Sequence, residues 1–387
     1  MNRLCPICSS TEKTHLYEQN FNNKAISLME SYDVVACRDC GFAFADNIPS
    51  QEEFDSYYAG MSKYEFNHND GVVSSAYIDH FNKIVDFIIP HLDDKNARIV
   101  DIGCSTGCLL SLFKQKGYTN LLGVDPSPSC VRTVKELYDI DSVVNTISDF
   151  YDDEGFDLII LSAVLEHIVD FDDSLRKIRS LLKDRGLLFI EIPDAERFDS
   201  FITAPFQQFS VEHINYFSQY SIRNLLSMFS FQTLDMQQHE NKVNQIIDPD
   251  IFNISSKTEE KNCEIIRDDI SELKIRDYIN QCSKIDAEVK ETIRAQLSDK
   301  DKIIVWGTGT HTLRLIGSGL ELSKVSYFVD SNKRYVGKKL NGIDIRLPGD
   351  IREQDIPILI STYSYQQEIA DQIRNELRLN NEIVKIY

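Results

Sequence analysis

The sequence predicts an α/β protein in which two doubly wound domains follow a small cysteine-rich module. Three observations support this fold class. Two pairs of cysteines precede residue 41, and an apolar run that leads into a glycine turn begins near residue 99 and again near residue 303. Strands that alternate with helices indicate parallel sheets with right-handed crossovers. The expected divisions are residues 1–70 (cysteine module and aromatic linker), 71–257 (first α/β domain), 258–298 (helical connector) and 299–387 (second α/β domain).

Composition and charge argue against several classes of partner. The chain has 387 residues, a formal net charge of −20 and a pI near 4.8, whereas contacts to nucleic-acid phosphates need clustered lysine and arginine. We therefore expect no nucleic-acid partner. No apolar run approaches the ~18 residues that span a bilayer, and the first residues lack the apolar region of a signal peptide. These features predict a cytoplasmic protein with no membrane partner.

The amino-terminal module is defined by its cysteines. Cys5 and Cys8 form one C-x-x-C pair, and Cys37 and Cys40 form a second pair 28 residues later. Each pair can place two thiolates on one side of a tight turn, and two such pairs complete a tetrahedral zinc site. Because the pattern offers no open ligand position, we expect the zinc to be structural. The alternative is four unrelated free cysteines.

The central domain begins with a strand that leads into a glycine turn. The apolar run at residues 99–102 precedes Asp101-x-Gly103-x-x-x-Gly107, and helical spacing follows. Such a turn lets the backbone approach a ligand closely. The next strand ends in Asp125, about 20 residues further on, where a carboxylate can accept hydrogen bonds from ribose hydroxyls. The alternative is a turn of this type that holds no ligand.

Later strands place more polar residues at the same edge of the sheet. Ser148 lies in the segment 145–149, after a short predicted strand, and Ser162 follows the strand predicted at residues 156–161. Ligands bind at the carboxyl ends of parallel strands. Glu166 and His167 come next, and we expect this pair to support the loop. The alternative is a catalytic Glu-His pair at the end of the strand. Further strands are predicted at residues 187–192, 232–236 and 251–255.

The segment from Phe206 to Ser218 contains the candidate acid and base. Glu212 and His213 are adjacent, and Asn215 and Tyr216 follow them in a loop that faces the same cleft. Positioned histidine and carboxylate side chains are the usual groups for proton transfer. The alternative is a packed loop without catalytic function.

The second α/β domain repeats the strand, glycine turn and strand. Residues 303–306 lead into Gly307-x-Gly309, Thr312 stands where a third glycine would be, and the next strand ends in Asp330. A lone G-x-G is weak support for a bound dinucleotide. We expect this domain to contact the nucleotide part of a substrate rather than to hold NAD(H). The alternative is a scaffold that closes over the substrate.

The acidic residue before G-x-x-x-G resembles motif I of class I S-adenosylmethionine (SAM) methyltransferases. The resemblance implies a Rossmann-like domain that binds SAM. It also implies that the sulfonium methyl group is transferred to an aligned nucleophile. The implied cofactor-binding residues are Asp101, Gly103, Ser105, Gly107, Asp125, Ser148 and Ser162.

The order of modules resembles the three-domain, zinc-containing nucleotide-sugar C-methyltransferases. That family has an amino-terminal four-cysteine zinc module, a class I SAM domain and a carboxyl-terminal Rossmann-like domain. Its loop usually reads His-Glu-His-x-x-Tyr-Phe-Ser, and here Val211 stands in place of the first histidine. The residues that match are Glu212, His213, Tyr216, Phe217 and Ser218.

The resemblance implies methyl transfer from SAM to a carbon next to a keto group of a nucleotide-linked deoxysugar. It implies His213 as the base, assisted by Glu212 and by a tyrosine before the SAM domain. We assign that tyrosine to Tyr64 in preference to Tyr58. Because of Val211, O- or N-methylation of a sugar stays open. A methyltransferase of RNA or protein is disfavoured by the acidic charge, and a non-catalytic sugar-binding protein that retains SAM is a third alternative.

Overall fold

The structure is a computed structural model that describes residues 2–21, 28–60, 75–202, 204–243, 246–259, 264–332, 335, 337–362 and 365–386. Contacts divide the chain into two units. The first comprises Met1–Gln19, Ser31–Phe201 and Gln208–Tyr278, and the second comprises Asn20–Glu30, Ile202–Gln207 and Ile279–Tyr387. None of the helices in these described ranges is both long enough and apolar enough to cross a membrane.

The cysteine module contains a four-stranded sheet. Its strand order is β1-β2-β3-β9, where β1 is Lys13–Asn20, β2 is Ser31–Cys37, β3 is Ala43–Asp46 and β9 is Asn215–Tyr216. Two of these strands, β1 and β2, lie between the cysteine pairs. β9 comes from the predicted catalytic loop, and it pairs antiparallel with β3 through Phe44 and Asn215. The cysteine module and the loop thus share one sheet.

The central sheet has seven strands in the order β10-β11-β8-β7-β4-β5-β6. The five strands from β8 to β6 are parallel, and β11 and β10 add an antiparallel hairpin. The hairpin is much longer than the two short strands expected from the sequence. The bounds are β4 Ile99–Ile102, β5 Leu121–Asp125, β6 Asp141–Val144, β7 Phe156–Ser162, β8 Leu182–Pro193, β10 Phe231–Val243 and β11 Ile246–Lys257.

Hydrophobic layers cover both faces of this sheet, as a parallel sheet requires. Val100 and Ile102 of β4 face one buried cluster, while Ile99 faces the other. Side chains alternate between the two faces of a strand, so both faces of this short apolar run are buried. The helices of the first unit that the structure describes up to residue 228 are α1 Gln51–Gly60, α2 Ser75–Ile88, α3 Cys108–Gln115, α4 Pro128–Tyr138, α5 Phe171–Leu181 and α6 Gln219–Met228.

The connector is helical over a shorter range than the predicted 258–298. Helix α7 spans Ser271–Leu297, and residues 264–270 are not helical. Asp268 explains the late start, since its carboxylate accepts hydrogen bonds from the backbone N–H groups of Ile270 and Ser271 and so caps the helix. The backbone N–H of Asp268 in turn donates to the carbonyl of Cys40. The segment before the helix is thereby attached to the cysteine module.

The carboxyl-terminal sheet has six strands in the order β14-β15-β13-β12-β16-β17, all parallel to their neighbours except β14. The two strands expected from the sequence, at residues 303–306 and just before Asp330, are present. The bounds are β12 Ile303–Trp306, β13 Val325–Val329, β14 Lys339–Leu340, β15 Ile343–Arg346, β16 Ile358–Ile360 and β17 Ile383–Lys385, with α8 Thr310–Gly317 and α9 Gln366–Asp371 beside them.

Candidate active site

The four predicted metal ligands lie together. The Sγ atoms of Cys5, Cys8, Cys37 and Cys40 are all within 4.8 Å of one another, and the four thiols form no disulfide. Cys5 and Cys40 are 3.5 Å apart, and Cys8 and Cys37 are 3.4 Å apart. Sulfurs bound to one tetrahedral zinc lie about 3.8 Å apart, given a Zn–S bond of about 2.3 Å. The arrangement therefore fits a structural zinc ion with all four positions taken by protein.

The cysteine module holds the loop that contains His213. The guanidinium of Arg3 donates to the carbonyl of Ile214 at 3.2 Å, to the side-chain oxygen of Asn215 at 3.0 Å and to the carbonyl of Val169 at 3.4 Å. Burial lowers the pKa of Arg3 to about 10, although the charge of Asp46 opposes this shift. Arg3 thus connects the segment after His213 to the segment after His167.

The glycine turn after β4 has the backbone conformation of such a turn and packs closely against neighbouring side chains. Gly103 and Gly107 have φ values of +84° and +82°. A Cβ added to Gly103 would lie 2.7 Å from a methyl group of Val164, and one added to Gly107 would lie 2.9 Å from Val134. Only glycine adopts this backbone without a clash. Ser105 lies between them, also with a positive φ of 48°.

The two predicted carboxylates lie beside this turn. Asp125 accepts hydrogen bonds from the backbone N–H groups of Ser105 at 2.9 Å and Ser127 at 2.8 Å, one on each oxygen. Each oxygen keeps a second lone pair, which a ribose hydroxyl can use. Burial raises the pKa of Asp125 to about 6, while these two N–H groups lower it. Asp101 is buried, and its Oδ1 has no hydrogen-bond partner among the described residues. An orphaned acceptor of this kind fits a ligand with a donor group.

The two predicted serines occupy different surroundings. Ser162, at the end of β7, donates from its hydroxyl to the carboxylate of Glu191. Ser148 is half-buried in the turn that follows β6. Both therefore lie after parallel strands of the central sheet, at the edge where the glycine turn is also found.

The predicted catalytic loop brings two histidines together. The rings of His213 and His167 lie 5.0 Å apart, centroid to centroid, at an interplanar angle of 79°. His213 is half-buried, whereas His167 is buried in a short 3₁₀ turn at Leu165–His167. The sequence analysis favoured loop support for Glu166 and His167, and the contact of His167 Nδ1 with the carbonyl of Glu212 is of that kind. The structure also places His167 against His213, across 46 residues of chain.

The hydrogen bonds of His167 favour one tautomer. Its Nδ1 lies 3.0 Å from the carbonyl oxygen of Glu212 and 2.9 Å from the hydroxyl of Tyr58. A carbonyl oxygen can only accept, so this contact favours the proton on Nδ1 and leaves the lone pair on Nε2. That Nε2 lies 3.6 Å from the carboxylate of Glu166.

Glu166 is a buried carboxyl beside this imidazole. It is 1% exposed, and neither of its carboxylate oxygens has a hydrogen-bond partner within the described part of the chain. Burial raises its pKa to about 8. A carboxyl in this position becomes a counter-charge when the neighbouring imidazole takes up a proton.

The tyrosines that reach this cluster precede the central domain. Tyr57 donates from its hydroxyl to the carboxylate of Glu212 at 3.1 Å, and Tyr58 contacts His167. Tyr64, the tyrosine that the sequence analysis preferred, lies outside the described residues. The sequence does contain an aromatic run at the end of α1 that could have indicated Tyr57 and Tyr58. Such a run is equally typical of tyrosines that pack in a hydrophobic core, so it did not identify them.

Asn215 has a role different from the one considered from the sequence. As a neighbour of His213 it was a candidate for catalysis. In the structure it is 2% exposed, and its amide donates to the carbonyls of Leu165 at 3.1 Å and Ile168 at 2.7 Å. Its side-chain oxygen accepts from Arg3. Both ends of the amide are therefore used to join the two histidine-bearing segments, and Asn215 is a positioning residue.

The glycine loop of the second α/β domain uses its acidic residue internally. Asp330 accepts from the backbone N–H of Thr308 at 3.1 Å, from the hydroxyl of Thr308 at 2.5 Å and from the backbone N–H of Asn332 at 2.8 Å. Thr312, in the place of the third glycine, hydrogen-bonds to Ser361 at 2.7 Å. These contacts stabilise the loop itself.

Comparisons with known proteins agree with the central site. Residues 74–235 match a family model described as a methyltransferase domain, and residues 299–384 match one described as C2185-like, N-terminal. A C-methyltransferase, NovU, from Streptomyces niveus is 23% identical over 367 residues, which cover 88% of this chain and 82% of that protein.

Other known proteins are similar to part of the chain. A ubiquinone biosynthesis O-methyltransferase from Bradyrhizobium diazoefficiens is 33% identical over 98 residues, covering 24% of this chain and 38% of its own length. The crystal structure of a Burkholderia thailandensis 1,6-didemethyltoxoflavin-N1-methyltransferase aligns with a TM-score of 0.43 at 16% identity, covering 57% of this chain and 98% of that one.

Proposed function

We propose that this chain, which is a SAM-dependent methyltransferase, methylates a carbon next to a keto group of a nucleotide-linked deoxysugar. The observation that carries the proposal is the cluster of His213, His167, Glu212 and Tyr58 beside the carboxyl ends of the central strands. The similarity to a C-methyltransferase over most of both chains supports the same reaction type.

Methylation at carbon requires a proton to leave before the new bond forms. A keto group acidifies the neighbouring C–H bond, and a base near neutral pKa can remove that proton. His213 is the more accessible of the two histidines and takes this proton. The electron pair of the broken C–H bond forms the enolate, whose carbon then bonds to the methyl group, and S-adenosylhomocysteine leaves. One proton is released in each turnover.

His167 and Glu166 accommodate the charge that this step creates. A proton on His213 is stabilised when the adjacent imidazole keeps its lone pair on Nε2, which the Glu212 carbonyl favours. If the proton moves on to His167, Glu166 at 3.6 Å balances it in its ionised form, which the adjacent imidazolium favours although burial raises the pKa of this carboxyl to about 8. The hydroxyl of Tyr58, 2.9 Å from Nδ1 of His167, is a candidate donor to an enolate oxygen.

SAM supplies an electrophilic methyl group on a sulfonium, so the protein mainly has to align it and exclude water. The residues that would hold it are the turn from Asp101 to Gly107 and the carboxylate of Asp125. Asp125 would accept from the ribose hydroxyls through its remaining lone pairs. The orphaned oxygen of Asp101 offers an acceptor to a donor group of the same ligand.

The four cysteines would hold zinc for a structural purpose. The ion would join the turn that precedes β1 to the turn between β2 and β3, and β3 pairs with β9 shortly after His213. In this proposal the zinc takes no part in methyl transfer. It sets the position of the loop through the shared sheet, together with Arg3.

The proposal is tested with His213→Gln and a keto nucleotide sugar in heavy water. Wild-type protein should exchange the proton next to the keto group for deuterium and form a C-methyl product. The variant should bind SAM normally and lose roughly 10²–10⁴-fold in turnover, the usual contribution of a positioned base. Glu212→Gln is the control, and it should lose less because the imidazole remains.

Two results would count against the proposal. Exchange at the wild-type rate in His213→Gln would remove His213 as the base. A methyl product formed from the reduced alcohol counterpart of the sugar, and none from the keto form, would favour O-methylation, the activity in the name of the shorter Bradyrhizobium relative.

A further inference from the structure

A second group of buried ionisable side chains lies in the first unit, apart from the histidine pair. His80 comes from α2, Glu191 from β8 and Asp250 from β11, and they are 5%, 5% and 6% exposed. One nitrogen or oxygen of each lies within 4.8 Å of the others. Neither the methyl-transfer proposal nor the zinc site uses these three residues.

The strand register explains why the two carboxylates face each other. Glu191 is opposite Phe252 in the antiparallel pair of β8 and β11, and Asp250 is two residues from Phe252. Diagonal neighbours of this kind point to the same face of a sheet. The ring of His80 lies 6.0 Å from that of Phe252 on this face. Three elements therefore deliver nitrogen and oxygen donors to one place.

The hydrogen bonds of the group are incomplete. The Nε2 of His80 lies 2.5 Å from one oxygen of Glu191, and Ser162 donates to the other oxygen. In contrast, the Nδ1 of His80 and the Oδ2 of Asp250 are buried with no hydrogen-bond partner in the described ranges. Leaving a buried polar atom unpaired costs free energy of about 1–3 kcal/mol. The unpaired Oδ2 of Asp250 points to a ligand in this cluster, whereas the Nδ1 of His80 lies on the other side of the ring from the Nε2 that contacts Glu191 and is not satisfied by the same ion.

The charges around the cluster favour a cation. The carboxylates of Glu166, Asp194 and Asp248 are close enough to affect the charge of Asp250. A nearby positive group is Arg197, which lies 3.4 Å from Asp194, whereas burial lowers the pKa of His239, which stacks on Phe252. Burial raises the pKa of Asp250, Glu166, Asp194 and Asp248, and a bound cation would stabilise the ionised form of carboxyls beside it.

We propose that His80, Glu191 and Asp250 bind one divalent transition-metal ion. One imidazole and two carboxylates are donors that suit manganese, iron or zinc, whereas magnesium and calcium prefer oxygen alone. The proton shared by His80 and Glu191 holds the two ligands together without metal, and the ion replaces it on binding. The site is separate from the four-cysteine centre in both position and ligand type.

The experiment titrates the full-length protein with Mn²⁺ and follows the free ion by electron paramagnetic resonance. Mn²⁺ prefers oxygen and nitrogen ligands, so the four cysteines should not contribute to the signal. Wild-type protein should bind one Mn²⁺ per chain. Asp250→Asn should weaken binding by at least about tenfold, the lower end of what even indirect metal partners contribute.

The matched control is Asp248→Asn, which removes a neighbouring carboxylate that already accepts from Gln208. It should bind Mn²⁺ within about twofold of wild type if the site is specific. Equal weakening in both variants, or no binding of millimolar Mn²⁺ by wild-type protein, would overturn the proposal. Thermal melting checks that each variant is folded. If Asp250→Asn does not fold, His80→Gln provides a second ligand substitution.

Discussion

Asn215→Ala is expected to separate positioning from chemistry in the predicted catalytic loop. The substitution removes the amide that donates to Leu165 and Ile168 and accepts from Arg3. Each buried partner left without a hydrogen bond costs about 1–3 kcal/mol. The carbonyl of Leu165 also accepts a hydrogen bond from the backbone N–H of Ile168, so it keeps one partner in the variant and its contribution to the loss of stability is smaller. The free energy of unfolding should therefore fall by about 3–5 kcal/mol.

Turnover should fall as well, because the amide joins the segment of His167 to the segment of His213. We expect kcat to drop by at least about tenfold, since small displacements of a catalytic group are costly. SAM affinity should change little, since the glycine turn after β4 is a separate segment. Urea unfolding measures the first effect, and steady-state kinetics with calorimetry measures the other two.

Asn224→Ala is the matched control for this prediction. Asn224 is also buried, and its amide exchanges two hydrogen bonds with the backbone of Ile266, away from the histidine pair. It should lose about 2–4 kcal/mol of stability and keep its kcat under conditions where it is folded. If Asn215→Ala loses stability like this control yet retains wild-type kcat, the amide does not position the histidines.

Three further predictions follow from the same structure. Asp125→Ala should weaken SAM binding by roughly 1.5–3 kcal/mol because charge-assisted hydrogen bonds to the ribose are lost, and calorimetry that shows unchanged affinity would contradict the assignment. Freshly purified protein should contain one zinc per chain, and metal analysis that finds none would rule the site out. Cys40→Ser should lose both zinc and activity. The control is Cys130→Ser, which changes a buried cysteine outside the cluster and should keep both. Burial raises the pKa of Glu166 from 4.5 to about 8. Between these pH values the folded state holds a proton that the unfolded state has lost, so the free energy of unfolding that this group contributes falls as pH rises. Glu166→Gln should make the melting temperature less dependent on pH in this range, and an unchanged pH profile would contradict the assignment.

Local patterns were sufficient for several parts of the molecule. The spacing of the cysteine pairs predicted the cluster at the amino terminus, because two thiolates in one tight turn are set by neighbours in sequence. The glycine turn of Gly103 and Gly107 was predicted for the same reason, since positive φ values are a property of single residues. The strands of both α/β domains were recognisable as short apolar runs bounded by turn residues.

Element lengths were less accurate where distant contacts decide them. The hairpin of β10 and β11 extends well beyond the two predicted short strands because the two strands pair with each other from Phe231 and Lys257 to Val243 and Ile246, whereas β8 pairs only with Asp250–Ser256. The connector helix starts at Ser271 rather than near residue 258 because Asp268 caps it there. Asp268 is held in turn by Cys40, which is far from it in sequence.

The sequence by itself determined the fold class, the cysteine cluster, the glycine turn and Asp125, because each depends on residues within one or two adjacent elements. Only the tertiary structure decided that His167 lies against His213, that Tyr58 contacts His167 and Tyr57 contacts Glu212, and that Asn215 is a structural bridge. These residues belong to segments separated by about 45 to 160 positions. Hydrophobic periodicity specifies which face of a helix or strand is buried. It does not specify which polar side chains from distant segments will contact that element.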